Sequence, residues 1–187
     1  MTKIKRFLNL IPLLILWAMA CGLFWGFVFS RITDAPADQK IVIYIDAETP
    51  GASKLADILF DSRSQHIRLV EVRPFSFAMM NSSSLENADI YIVPESSVST
   101  YREWFEPADD GWIPAAPFYS VDDDFWGALV FPSFRSSSTL HEYINFTNNE
   151  DENYFLLFGR RSLHFAVHPD AVDDEAVRFA ELLIRQL

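Results

Sequence analysis

The feature that most constrains this chain is a stretch of 24 residues, Phe7 to Ser30, that contains no charged side chain. About 20 apolar residues in a helix cross the hydrocarbon of a bilayer, because a helix satisfies every backbone N–H and C=O within the segment itself. The stretch therefore reads as a transmembrane helix, residues 7–30, with Trp17, Trp25 and several phenylalanines facing lipid. Lys3, Lys5 and Arg6 precede it and Arg31 follows it. That bias places residues 1–6 in the cytoplasm and the remainder outside, a single-pass topology in the cell membrane. A cleaved signal peptide is the alternative, since Ala18-Met19-Ala20 resembles a small-residue cleavage site. The apolar run continues nine residues past Ala20, further than such a peptide requires.

Residues 31–40, with Pro36 among alanines and aspartates, show no periodicity and read as a linker. Residues 41–187 are then one extracytoplasmic domain, of ordinary size for a single core. From Arg31 onward the chain holds 12 basic residues against all 26 acidic ones, a net charge of −14. Such a surface repels nucleic acid, which is excluded as a partner. The only cysteine, Cys21, lies in the apolar stretch, so no intrachain disulfide can form.

The domain opens with three apolar runs separated by helix signals, a β-α-β-α-β pattern. Ile41 to Asp46 and Asp89 to Val93 are nearly continuous apolar runs, as expected of strands covered on both faces. Between Ile67 and Phe75 the apolar positions alternate with Arg68, Glu71 and Arg73, which suits an edge strand. The expected strand order is 2-1-3. Thr49 is expected to cap a helix opened by Pro50, whose face Ala52, Leu55, Ala56 and Leu59 packs on the sheet.

Further along, Pro94 to Ser97 reads as a turn, and Ser99 as the cap of a short helix carrying Tyr101, Trp104 and Phe105. Phe118 to Val121 and Phe125 to Phe131 flank Asp122-Asp123-Asp124 as a hairpin. Consecutive carboxylates on a tight turn point apart, so no calcium site is expected there. Tyr154 to Phe158, ended by Gly159, reads as a buried strand, and Ser162 to Val167 as a short extended piece. The chain closes on a helix with Asp173, Asp174 and Glu175 at its positive end and Val177, Ala180, Ile184 and Leu187 as its apolar stripe.

In the order of its elements the chain resembles one lobe of the bacterial extracellular solute-binding proteins that serve ABC importers. The matching residues are Ala88 to Val93 as the third strand, the aromatic and acidic loop through Trp104 and Trp112, and Tyr119 to Gly127 as a hairpin with an acidic turn before an aromatic-glycine pair. The resemblance implies a periplasmic-binding-protein-like lobe, an α/β domain with a mixed, mainly parallel sheet flanked by helices. The segment between Phe131 and Tyr154 is too short for a second lobe, so the implied molecule is a reduced, membrane-anchored single lobe.

In an open α/β sheet, ligands bind at the carboxyl ends of the strands where the strand order reverses. Order 2-1-3 puts that crevice between strands one and three. The expected ligand-binding residues are Asp46, Glu48 and Thr49 after strand one and Glu95, Ser96 and Ser97 after strand three, with Tyr119 and Trp126 as a stacking wall for a sugar or peptide. Trp112, Tyr119 and Trp126 are also the expected anchors for a partner membrane protein or a second copy. The chain has no nucleophile elbow, phosphate-binding glycine loop or His-Glu-x-x-His motif, so no catalytic residue and no cofactor is expected. The alternative is a hydrolase using Asp46 and Glu95. His164 and His168 share a spacing of four but lack an evident third ligand, and His66 and His141 read as isolated surface residues, so no metal site is expected either.

Overall fold

The computed structural model describes residues 2–33, 35–74, 83–106, 118–122, 125–131, 139–146, 152–167 and 169–185. The chain forms two compact units, Met1–Pro36 and Ala37–Leu187. The first is a single helix, α1 (Thr2–Thr33), which runs past the uncharged stretch at both ends. Its segment Ile11–Phe29 is long and apolar enough to cross a membrane, and its large side chains, including Leu16, Trp17 and Phe24, are exposed.

Among the described residues the second unit has six strands: β1 (Lys40–Ile45), β2 (Leu69–Pro74), β3 (Ile90–Pro94), β4 (Phe118–Asp122), β5 (Phe125–Phe131) and β6 (Tyr154–Phe158). They form one sheet in the order β2-β1-β3-β6-β5-β4. The expected 2-1-3 start is present, with β1 parallel to both β2 and β3 and β2 at the edge. At that edge Val70 and Val72 are buried, while Lys40 pairs with Glu71 at 3.3 Å and Arg73 with the same carboxylate. The hairpin β4–β5 also forms. The sheet is mixed but not mainly parallel, because β6 enters antiparallel to β3 and to β5.

Alternation along the strands divides the core into two layers. Ile41, Ile43 and Ile45 of β1, Ile90 and Ile92 of β3, and Leu156 and Phe158 of β6 face one side. Tyr44, Tyr91, Val93 and Leu157 face the other. Helix α2 (Ala52–Asp61) packs Leu55 and Leu59 on the first side, with Ala52 and Ala56 partly buried beside them. Helix α5 (Glu175–Arg185) packs on that same side. The second side is covered by short pieces. Leu85 of α3 (Ser83–Glu86), Val98 of α4 (Glu95–Val98) and the aromatics Tyr101, Trp104 and Phe105 around a 3-10 turn at Arg102–Trp104 close it. Tyr101 and Trp104 stack at 5.2 Å, and Phe105 meets Tyr91 edge-on at 5.1 Å.

Several local expectations are corrected. Helix α2 starts two residues late, with Gly51 as its N-cap, because Thr49 Oγ1 turns back to donate to the Ala47 carbonyl at 2.9 Å. A Cβ on Gly51 would lie 2.7 Å from Tyr143 Cα, so glycine is required by the approach of that backbone. Residues Glu95–Val98 are a helical turn and Ser99 is its C-cap, not an N-cap. Ser162 to Val167 forms turns, not an extended piece. The buried stripe of α5 is Ala176, Phe179, Ala180 and Leu183; Val177 and Ile184 are only partly buried, and Leu187 lies outside the described residues. The helix is thus rotated by about one residue from the expected face, which places the larger Phe179 in the core.

That rotation is testable by truncation. Phe179→Ala should cost about 3–5 kcal/mol, whereas Val177→Ala should cost under about 1.5 kcal/mol. Chemical denaturation of the two variants measures both, and equal losses would contradict the observed face.

Candidate functional site

Two polar sites lie at opposite ends of the central strands. At the carboxyl ends of β1 and β3 the structure brings together Asp46, Glu95, Ser96 and Ser97, as expected. It also brings Glu152 and Asn153 there, because β6 runs antiparallel to β3 and delivers its leading residues beside Pro94. Ser97 Oγ donates to Asp46 Oδ2 at 3.1 Å. Asn153 Nδ2 donates to Glu95 Oε2 at 3.1 Å, and the Ser96 N–H donates to Glu152 Oε1 at 3.0 Å. Glu48 is exposed, bridges Asn145 through its backbone and accepts from Asn145 Nδ2 at 3.4 Å. Burial pushes the Asp46 carboxyl above its ordinary range; the Ser97 hydrogen bond opposes this and the charge of Glu152 adds to it. Burial, then the charges of Asp46 and Glu152, push the Tyr154 phenol up to about 12. The polar groups of this crevice are therefore bonded largely to one another.

The strand positions of Tyr119 and Trp126, the expected aromatic wall, are not at this end of the sheet. Ala128 of β5 pairs with Leu156, and Leu156 pairs with Ile92. Trp126 therefore lies toward the amino end of β3, and Tyr119, opposite Gly127, lies with it. In the sheet β5 and β4 are also two and three strand positions from β3, about 10 and 14 Å. Trp112 and Asp123 lie outside the described residues.

At the amino end of β3 sits Asp89, 3% exposed. Its Oδ2 accepts the Val42 N–H at 2.8 Å and its Oδ1 accepts the Ser162 hydroxyl at 2.6 Å. Burial raises its carboxyl to about 6, against the lowering effect of those two bonds and of His164. Beside it opens a cavity of about 310 Å³, lined by Ala37, Lys40, Val42, Asn87, Asp89, Arg161 and Leu163. Arg161, with its side chain 64% exposed, pairs with Glu86.

Behind Asp89 the ring of His164, 1% exposed, reaches Asp173 through Nδ1 at 2.9 Å and the Ala37 carbonyl through Nε2 at 3.1 Å. Burial would lower its pKa, but the Asp89 charge and the Asp173 contact outweigh that and raise it. Asp173 is held below its ordinary value despite burial, by the Glu175 N–H and by His164 and His66. Ser162, His164 and Asp173 are the residue types of a nucleophilic hydrolase, but their connections are wrong for one. The serine hydroxyl donates to Asp89 and accepts the backbone N–H of His164, at 3.1 Å, while the imidazole faces a carbonyl.

Sequence reasoning did not single out Asp89, Ser162, Asp173, Glu152 or Asn153 as site residues, and treated His164 only as a possible partner of His168, which lies outside the described residues. A signal was present for Asp89, a charged residue opening an otherwise apolar central strand. None was present for the convergence of residues 66, 164 and 173. Compared with protein-family models, with curated proteins and with solved structures, the chain matches none.

Asp89 has a consequence for stability. A carboxyl whose pKa is raised on folding holds its proton more tightly in the folded state, so its contribution falls as pH rises from about 4 to about 6, by roughly 3 kcal/mol in all. His164, raised, titrates above that window, and Asp173, lowered, below it. Thermal unfolding between pH 4 and pH 6 should therefore show a falling midpoint in the native chain and a shallower fall in Asp89→Asn. Parallel slopes would show that Asp89 is not the titrating group.

Proposed function

We propose that this chain is a single-pass, membrane-anchored protein whose extracytoplasmic α/β domain binds a solute or a partner without catalysis, as a reduced relative of one lobe of the solute-binding proteins of ABC importers. The observation that carries this reading is the cavity beside Asp89, at the low end of the volumes typical of small-molecule sites. Lys40 and Arg161, paired with Glu71 and Glu86, bring cationic side chains to its lining, Asn87 an amide, and Val42, Leu163 and Ala37 an apolar wall. With the Asp89 carboxyl also in the lining, that combination suits a small polar solute or peptide that offers both donor and acceptor groups. The site is therefore moved from the carboxyl to the amino ends of the strands.

The alternative, an extracytoplasmic hydrolase, is favoured by one observation, the raised carboxyl of Asp46 beside Glu152, which is a general-acid feature. Its pair would be Asp46 with Glu152, whose charge adds to the rise of the Asp46 carboxyl. Turnover of peptide or glycoside substrates that disappears in Asp46→Asn would establish the hydrolase and displace the binding reading.

For topology, protease added outside intact cells should remove the domain and leave a tag at Met1 protected; loss of that tag would reverse the orientation. For binding, the full chain in nanodiscs should show a raised unfolding midpoint with a member of a panel of amino acids, short peptides and sugars. Arg161→Ala should weaken that ligand about tenfold or more, the scale of a charge-assisted hydrogen bond, with little change in the ligand-free midpoint. A panel without a single responder would count against a solute site here.

A further inference from the structure

We propose that His66, His164 and Asp173 form a binding site for a divalent transition-metal ion, zinc by the chemistry of its donors. The three residues come from separate loops: His66 between α2 and β2, His164 after β6, and Asp173 just before α5. Their donor atoms all lie within 4.8 Å of one another. His66 Nε2 is 2.6 Å from Asp173 Oδ2, and His164 Nδ1 is 2.9 Å from Oδ1 and 3.1 Å from Oδ2 of the same carboxylate. This departs from the expectation drawn from spacing alone, in which His66 was an isolated surface residue.

With the imidazole neutral, the tautomer of His164 leaves a place for a cation in the cluster. The Ala37 carbonyl facing Nε2 at 3.1 Å can only accept, so Nε2 carries the hydrogen. In a neutral imidazole Nδ1 is then a lone pair, and it points at a carboxylate that is itself only an acceptor. A cation seated between the two satisfies both. A carbonyl on the far nitrogen is also how metal-ligating histidines are commonly oriented, and the Glu175 N–H, 2.9 Å from Asp173 Oδ1, steadies the carboxylate in the same manner.

Two imidazoles and one carboxylate are the nitrogen and oxygen donors that zinc takes, and three protein ligands leave a fourth tetrahedral position for water. That position has a route to solvent, because the His66 side chain is 44% exposed while His164 is closed off. A tetrahedral ion with bonds of ~2.0–2.1 Å holds its donors about 3.3 Å apart, so the contacts of His66 and His164 with Asp173, at 2.6 and 2.9 Å, widen by a few tenths of an ångström around it. Once bound, the ion ties the loop before β2 and the turn after β6 to the start of α5.

The competing occupant is a proton on Nδ1, which would make the cluster an ion pair. Full-length protein in nanodiscs, stripped with a chelator, is titrated with zinc alone by calorimetry and with cobalt(II) as a spectroscopic probe. The expected results are saturation at one equivalent, the strong visible absorption of tetrahedral cobalt, and an unfolding midpoint that rises with zinc. His66→Ala, a half-exposed position, and Asp173→Asn, which keeps an acceptor for the helix end, should each lose about tenfold or more in zinc affinity and the zinc-dependent midpoint rise. Absence of binding, binding unchanged in both variants, or a cobalt spectrum of purely octahedral type would overturn the site. So would a midpoint indifferent to zinc that falls in His66→Ala under chelator, the behaviour of the ion pair.

Discussion

The domain depends on what happens at Asp89. Its backbone N–H donates to the Val42 carbonyl at 2.9 Å and its side chain accepts the Val42 N–H, so one residue closes the ladder between β1 and β3 from both sides. Its carbonyl accepts the N–H of Gly159 at 3.0 Å, where β6 ends. Its second carboxyl oxygen takes the Ser162 hydroxyl and so holds the turn that leads to His164. A carboxylate costs several kcal/mol to bury unless it is bonded, and here each oxygen has its donor. The space is tight as well, since a Cβ on Gly159 would sit 1.8 Å from the Ala88 carbonyl oxygen.

From this junction follows the asymmetry of the molecule. Because β6 leaves toward Gly159 at the amino end of β3, its first residues stand at the carboxyl end, and Glu152 and Asn153 fill the crevice that a parallel sheet would leave open. The same reversal carries Tyr119 and Trp126 to the amino end. Polar groups at the crevice bond one another, and the amino end holds a cavity lined by the ion-paired Lys40 and Arg161 and, behind it, a cluster of two imidazoles and a carboxylate.

The two faces of the sheet are covered unequally. Helices α2 and α5 share one face, where Ile43, Ile92, Leu55 and Phe179 meet. The other is closed by aromatics from short turns, with Tyr91 between Tyr44 at 6.3 Å and Phe105 at 5.1 Å. Large rings let a loop segment bury as much area as a helix would, which is why residues 83–106 cover that face without a long helix.

What the sequence by itself determined is everything that depends on local periodicity. The uncharged run to Ser30, the strands at Ile41, Leu69, Ile90 and Tyr154, the hairpin through Phe118 to Phe131 and the stripe Leu55 and Leu59 are all visible in the order of apolar and polar residues, because burial repeats at the period of the element. The order 2-1-3 followed from one wetter strand, whose Glu71 and Arg73 mark the edge. The pairing direction of β6 was not legible, since an apolar strand such as Tyr154 to Phe158 reads alike in either direction. With it went the place of Glu152, Trp126 and Tyr119. Nor could spacing join His66 to Asp173 or Asp89 to Ser162, pairs separated by 107 and 73 residues. Only the tertiary structure decided those meetings, because the free energy that brings such residues together is supplied by the core burial of β1, β3 and α5 and not by any interaction between neighbours in the chain.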